Sequence, residues 1–239
     1  MAEAKTGRWT SRIARGTIAA AVLVLLAGPS IKFGILSWQV GLGMFVIAAV
    51  LAGIGGLISL VALLRKRGGM LAVIAAAAGL AAIVIPVAII AEGRSNPPIH
   101  DITTDPANPP AFVAITPDLR GPKSNTVTYD PALAPIQAKA YPALAPLMLP
   151  DAPAAAFEKA LAAAKAMDWT IVASDAAQGR IEATATVPWW GFKDDVVVRL
   201  TPEDTGTRVD VRSTSRVGIG DLGVNAKRIS DFLDKLTAQ

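Results

Sequence analysis

The sequence predicts three transmembrane α-helices followed by an α+β domain in which an antiparallel four-stranded sheet carries helices on one face. Three observations predict it. Long apolar segments fill the first 91 residues, with ionisable side chains at their flanks. A proline-rich stretch separates these segments from the rest of the chain. Beyond Pro150 the hydrophobic spacing changes from a helical period to strand alternation and back again.

A bilayer core of roughly 30 Å needs about 20 apolar residues in a helix, because unpaired backbone groups are too costly in hydrocarbon. After a basic N-terminus (1–16), the stretches 17–35, 40–64 and 70–91 meet that length. In the first, Gly28-Pro29-Ser30 and Lys32 are expected to end or kink the helix, with Lys32 snorkelling to the interface. A cleaved signal peptide over residues 1–28 is the rival reading, with small residues near Ala27 and Gly28. For the second and third segments the rival is a buried soluble hairpin, but each is longer and purer than a core helix requires.

Basic residues favour the cytoplasmic side in short loops and tails. Lys5, Arg8, Arg12 and Arg15 precede the first helix and Arg65-Lys66-Arg67 follow the second, whereas the opposite side has only Lys32 and Arg94. The expected topology places the N-terminus in the cytoplasm and the C-terminal domain outside it, with Trp38 as an interfacial anchor on the outer face. The formal net charge of +4 joins two unlike regions: residues 1–91 have +7 and the remainder −3. The basic excess therefore sets topology, and nucleic acid is not an expected partner.

No cysteine is present, which excludes disulfides and thiolate chemistry. No ionisable residue lies well inside the second or third span, which speaks against a proton or ion pathway. Small-xxx-small spacings at Ala52/Gly56 and Ala75/Gly79 permit close helix approach. Packing within the three-helix hairpin is the reading adopted, with a dimer or partner-binding face as the alternative. Pro86 is expected to kink the third span.

Residues 92–150 hold 12 of the 17 prolines, so they cannot be helical for long. They form either a stiff tether or an extended arm packed on the domain. Ile99, Ile102, Phe112, Tyr129, Ile136, Tyr141, Leu147 and Leu149 favour packing, since a solvated linker has little use for them. The domain proper, 151–239, opens on a helix capped by Asp151, with Phe157, Leu161 and Ala164 on its buried face. Four strands follow in a meander: Trp169 to Ser174, Arg180 to Val187, Asp194 to Thr201 and Thr207 to Val217. A last helix starts near Asp221 and buries Leu222, Ala226, Ile229, Phe232, Leu233 and Leu236.

Asn96-Pro97-Pro98-Ile99-His100-Asp101-Ile102-Thr103-Thr104-Asp105 resembles the entry motif of a bacterial family, domain of unknown function 1499. The resemblance continues through Gly191-Phe192-Lys193-Asp194-Asp195-Val196, the run from Arg208 to Gly218, and Asp221-Leu222-Gly223-Val224-Asn225-Ala226-Lys227-Arg228-Ile229. It covers Asn96 to Leu236 and implies a compact α+β domain that includes the proline-rich arm and in some members is tied to membrane helices. It supplies no substrate or activity. His100, Asp101, Phe192, Asp194, Asp195, Asp221 and Asn225 are its structural motif residues.

On the last strand Arg208, Asp210, Arg212, Thr214 and Arg216 face one way, and Val209, Val211, Ser213, Ser215 and Val217 the other. Arginines on one face can grip an anionic head group, and Arg199, Arg212, Arg216, Ser213 and Ser215 are the candidate ligand-binding residues. The competing reading is a cross-strand ion-pair lattice on a solvated face, with Glu182, Asp194, Asp195 and Asp210 neutralising the same arginines. Trp189-Trp190-Gly191-Phe192 places three aromatics in one turn, either as an exposed foot or folded inward to cap the core. His100 is the sole histidine; beside Asp101 and Asp105 it is a poor ligand or catalytic set, and no nucleophile, P-loop or dinucleotide motif appears.

No enzyme activity, metal or cofactor is expected. The expected function is a membrane-anchored, extracytoplasmic interaction or scaffold module of the bacterial cell envelope, in the inner membrane, with the lipid bilayer and an envelope protein or further copies of itself as partners. The alternative is a domain that binds an anionic lipid or another amphiphile.

Overall fold

The computed structural model describes the backbone of residues 2–238 and the side chains of residues 8–238; Lys5, counted above among the orienting basic residues, lies outside the described side chains. The chain divides into two compact units. One comprises the chain up to Glu92 together with Pro188–Gly191, and the other Gly93–Val187 with the chain from Phe192 onward.

The first unit is built on α1 (Ala2–Lys32), α2 (Trp38–Leu64) and α3 (Met70–Ser95), whose last three residues belong to the second unit. Arg8–Lys32, Trp38–Leu64 and Met70–Ser95 are long and apolar enough to cross a membrane. Pro29 does not end α1, which runs on to Lys32; the Ser30 hydroxyl donates to Leu26 O at 2.6 Å. Ala20, Val24 and Ala27 of α1 pack with Phe45, Ala48, Ala49 and Ala52 of α2 and Ala82 of α3. The small residues serve this packing. A Cβ on Gly56 would stand 3.0 Å from the Gly79 Cα, so α2 and α3 touch backbone to backbone.

Pro188–Gly191 belongs to this unit, and the Trp pair neither stands free nor caps the sheet's core. Trp190 meets Phe45 edge-on with ring centroids 5.1 Å apart, Trp189 meets it at 6.0 Å, and the two indoles lie 4.5 Å from each other. The Lys32 ammonium donates to Pro188 O at 2.8 Å.

The second unit contains β1 (Asp101–Thr103), α4 (Pro117–Arg120), a 3-10 turn (Pro131–Leu133), α5 (Ala134–Ala140), β2 (Leu147–Leu149), α6 (Pro153–Ala166), β3 (Thr170–Asp175), β4 (Arg180–Thr186), β5 (Lys193–Glu203), β6 (Gly206–Ser215) and α7 (Val224–Thr237). Its antiparallel sheet has six strands rather than four, in the order β1-β6-β5-β4-β3 with β2 also on β6. β1 and β2 come from the proline-rich arm. At three residues each they are too short for alternation to register, and they exist because β6 offers them its free edge. Gly179 sits at φ 58 between β3 and β4, where Leu200 O leaves no room for a Cβ.

Ile181, Ala183, Ala185, Val196, Val198, Leu200, Val209 and Val211 form one sheet face, and Phe157, Ala160, Ala164, Ile229, Phe232 and Leu236 of α6 and α7 close over it. Trp169 stacks on Phe232 with centroids 5.0 Å apart, filling the space between helix and sheet. Asp151 does not cap α6: the N-cap is Ala152, without a side-chain bond, and Asp151 instead pairs with Lys159 at 2.8 Å. Asp221 does serve the start of α7, accepting from the backbone N–H of Gly223 at 2.9 Å and of Asn225 at 2.7 Å.

Candidate functional site

Alternation along β4, β5 and β6 sends Glu182, Thr184, Asp195, Arg199, Asp210, Arg212, Thr214 and Arg216 to the sheet face opposite the helices. That face is largely covered, with Arg199 and Arg208 partly exposed at one end. Residues 105–129 of the arm lie across it and turn its charges into an interior layer.

Arg212 is the centre of the layer and is 2% exposed. Its Nε and Nη2 donate to the two carboxylate oxygens of Asp101 at 2.9 and 2.7 Å. Its Nη1 and Nη2 also donate to arm carbonyls, Pro110 O at 3.2 Å and Val127 O at 2.8 Å. The rings of Phe112 and Tyr129 lie 5.1 and 5.5 Å from the guanidinium carbon. The cation is thus bidentate on a carboxylate, bonded to two carbonyls and covered by aromatic rings.

Asp195 is the second centre. It accepts from Arg216 Nε at 2.9 Å and Nη2 at 2.8 Å, from Arg120 Nε at 2.8 Å and from the Thr184 hydroxyl at 2.8 Å. Arg120 stands at the end of α4, a single turn capped by Thr116, and its Nη1 donates to Asn125 O and Thr126 O. Burial lowers the Arg120 pKa against the opposing pull of Asp195. Burial, joined by the negative charge of Asp101, raises that of Tyr129.

Glu182, fully buried on β4, fastens the arm by its backbone. Its carboxylate accepts from the N–H groups of Val113, Ala114 and Ile115 at 2.8 to 3.0 Å, while Arg180 Nε stands 3.2 Å away. Toward the other end of the sheet Asp210 is shared by Arg199 at 2.9 Å and Arg208 at 3.1 Å, and Arg208 also reaches Asp105 at 2.7 Å. Gln137 of α5 pairs with the backbone of Thr103 in both directions, at 3.0 and 2.6 Å, and so holds β1.

The candidate ligand set is divided between the two faces. Arg199, Arg212 and Arg216 lie in the arm-covered layer. Ser213 and Ser215 lie on the helix side, where Ser213 donates to Asn225 Oδ1 at 2.6 Å and Asn225 donates to Ser215 Oγ at 2.9 Å and to His100 O at 3.0 Å. Arg228 joins them, bonding Asp194 and Asn225. Asp194 and Asp195, adjacent in sequence, therefore serve opposite faces. His100 Nδ1 lies 3.2 Å from Ile219 O, and Phe192 O accepts from Val187 N at 2.8 Å to close the β4–β5 turn. Burial raises the Asp221 pKa, opposed by the two N–H groups that it caps.

Arg120, Gln137 and the three amides on Glu182 are the members that sequence reasoning missed; Phe112 and Tyr129 were expected to pack on the domain, but not to cover Arg212. Arg120 and Gln137 offered one signal, being long polar side chains between prolines in a stretch otherwise rich in apolar residues. Among the described residues no group of three or more His, Asp or Glu side chains is placed to hold a metal ion.

The family model described as "Protein of unknown function (DUF1499)" matches residues 101–236, which is more than half of the chain and spans both centres of the layer. No curated protein matches the chain.

Proposed function

The chain belongs to the DUF1499 family, and from that membership and the arginine layer we propose that it is a membrane-anchored interaction or scaffold module of the bacterial cell envelope. In this reading the apolar helices sit in the inner membrane with the N-terminus cytoplasmic, as the clustering of basic residues at Arg8, Arg12, Arg15 and Arg65–Arg67 supports. The domain that follows is extracytoplasmic. It contacts an envelope protein or another copy of itself and performs no catalysis.

One observation carries the reading: the most buried arginines of the layer grip carboxylates of their own chain. Arg212 and Arg120 are buried against Asp101 and Asp195, so their charge builds the domain rather than its surface. The volume between helices and sheet is filled by Trp169, Phe232, Ile229 and Phe157, which leaves the lipid-binding alternative with less support. Arg199 and Arg208, each partly exposed, are the arginines of the layer best placed to meet an anionic head group.

Crosslinking in intact membranes, followed by native mass spectrometry of the full chain in nanodiscs, tests this. Discrete crosslinks from the domain to one envelope protein or to a second copy are expected. Retention of one anionic lipid, lost on Arg199→Ala/Arg208→Ala, would replace the scaffold reading by the amphiphile-binding one.

A further inference from the structure

Among the described residues, three buried side-chain atoms of the arm-covered layer have no hydrogen-bond partner: Arg120 Nη2, the Tyr129 hydroxyl and Thr214 Oγ1. They are tethered to one row of the sheet. Thr214 stands between Asp101 on β1 and Asp195 on β5 in cross-strand register. Arg120 is fixed to Asp195 through Nε, and the Tyr129 ring covers the guanidinium that grips Asp101. Unpaired buried donors are rare in native proteins because each keeps its desolvation penalty.

The charges of the row point the same way. Arg120, Arg212 and Arg216 stand against only Asp101 and Asp195, while the neighbouring acids have their own cations: Glu182 has Arg180, Asp105 and Asp210 have Arg199 and Arg208. One positive charge is left over in this row, where Arg120 and Arg212 are buried and Arg216 is partly exposed. All three orphaned atoms can donate, and Arg120 Nη2 can do nothing else. A ligand that suits them carries one negative charge and accepts hydrogen bonds. A single-atom ion meets that need with the least demand on space between packed side chains.

We propose that the row Asp101–Thr214–Asp195 holds a buried site for a small monovalent anion of the halide type, bound by Arg120 Nη2 and the hydroxyls of Thr214 and Tyr129. The ion neutralises the surplus guanidinium charge and fastens the arm to β6. Burial lowers the Arg120 pKa, and although Asp195 and Asp101 oppose the shift, the like charge of Arg216 adds to it.

Thermal unfolding of the full chain in nanodiscs, in chloride or bromide against gluconate at fixed ionic strength, reads the site out. A ligand that binds only the folded state raises the midpoint with the logarithm of its concentration once that exceeds Kd. The midpoint of the wild type is expected to climb with halide and not with gluconate. Thr214→Val, which keeps the shape, and Tyr129→Phe are each expected to flatten the dependence. Crystals grown in bromide are expected to show an anomalous peak bounded by the three side chains. Equal midpoints in all three salts, or water in place of an anomalous scatterer, would overturn the proposal. If Thr214→Val does not fold, Tyr129→Phe and the wild-type salt series decide it.

Discussion

Arg212 and Asp101 form a bidentate ion pair, 2.9 and 2.7 Å long, that joins the first strand of the domain to the last and is shut away from solvent on both sides. Removing one partner of such a pair strands a charge in a dry interior, which costs about 3–5 kcal/mol. Arg212→Ala and Asp101→Ala are each expected to lower unfolding stability by that order, measured by denaturant titration of the full chain. A paired Arg212→Met/Asp101→Leu variant is expected to lose less than either alanine variant. Arg212→Lys is expected to behave as a loss, because an ammonium cannot span both oxygens and both arm carbonyls.

Glu182 fastens the arm through three consecutive backbone amides, so its charge has a local readout. In Glu182→Gln one of the two acceptor oxygens becomes a donor facing those amides, with a penalty of about 1–3 kcal/mol. Hydrogen exchange at Val113, Ala114 and Ile115 is expected to rise roughly ten- to a hundredfold. Exchange in α6 and α7 is expected to stay unchanged, and acceleration throughout the domain would contradict a local clasp.

Asp221 gives a pH dependence with a definite sign. Its folded pKa lies above the ordinary aspartate value because of burial. A carboxyl whose folded pKa is raised binds its proton more tightly in the native state, so its favourable contribution is complete below the unfolded pKa. That contribution is lost as pH rises from the ordinary aspartate range through the raised value. The stability difference between wild type and Asp221→Asn is expected to move against the wild type over this interval and to level off above it, as read from unfolding midpoints at a series of pH values.

Phe45, Trp189 and Trp190 form a three-ring cluster whose edge-on contacts are worth about 0.5–1.5 kcal/mol beyond the area they bury. Two indoles at 4.5 Å should give an exciton couplet in circular dichroism. Phe45→Ala is expected to weaken the couplet and Trp190→Ala to abolish it. A Cβ at Gly28 would stand 2.7 Å from the Trp189 ring, so Gly28→Val is expected to displace the indole and change the couplet as well.

The three long apolar helices were legible by length and composition, and the two packed helices and the four longer strands by the period of their apolar residues. β6 shows how far such reading goes. Alternation from Arg208 to Arg216 assigns every side chain to its correct face, but the character of a face depends on what lies over it. The charged side of β6 reads as solvent-facing by composition and is interior by construction, since its cover comes from a segment about 100 residues earlier with no period of its own. β1 and β2 escaped for the same reason: strands of three residues owe their existence to the edge that receives them. Trp189 and Trp190 announced themselves as misplaced aromatics in a turn, while their partner Phe45 lies far earlier in the sequence, on α2.

The pairing of β1 and β2 with β6 also dictates an order of events. The arm leaves the ribosome long before the strand that receives it, and Asp101 must wait 111 residues for Arg212. Until then its apolar residues and the Asp101 carboxylate have no native site, and only a chain complete through β6 can close the layer. Contacts of such high sequence separation slow folding and prolong exposure to aggregation. The domain therefore matures only once its last strand is made, with its earliest-made segment locked in place by that strand.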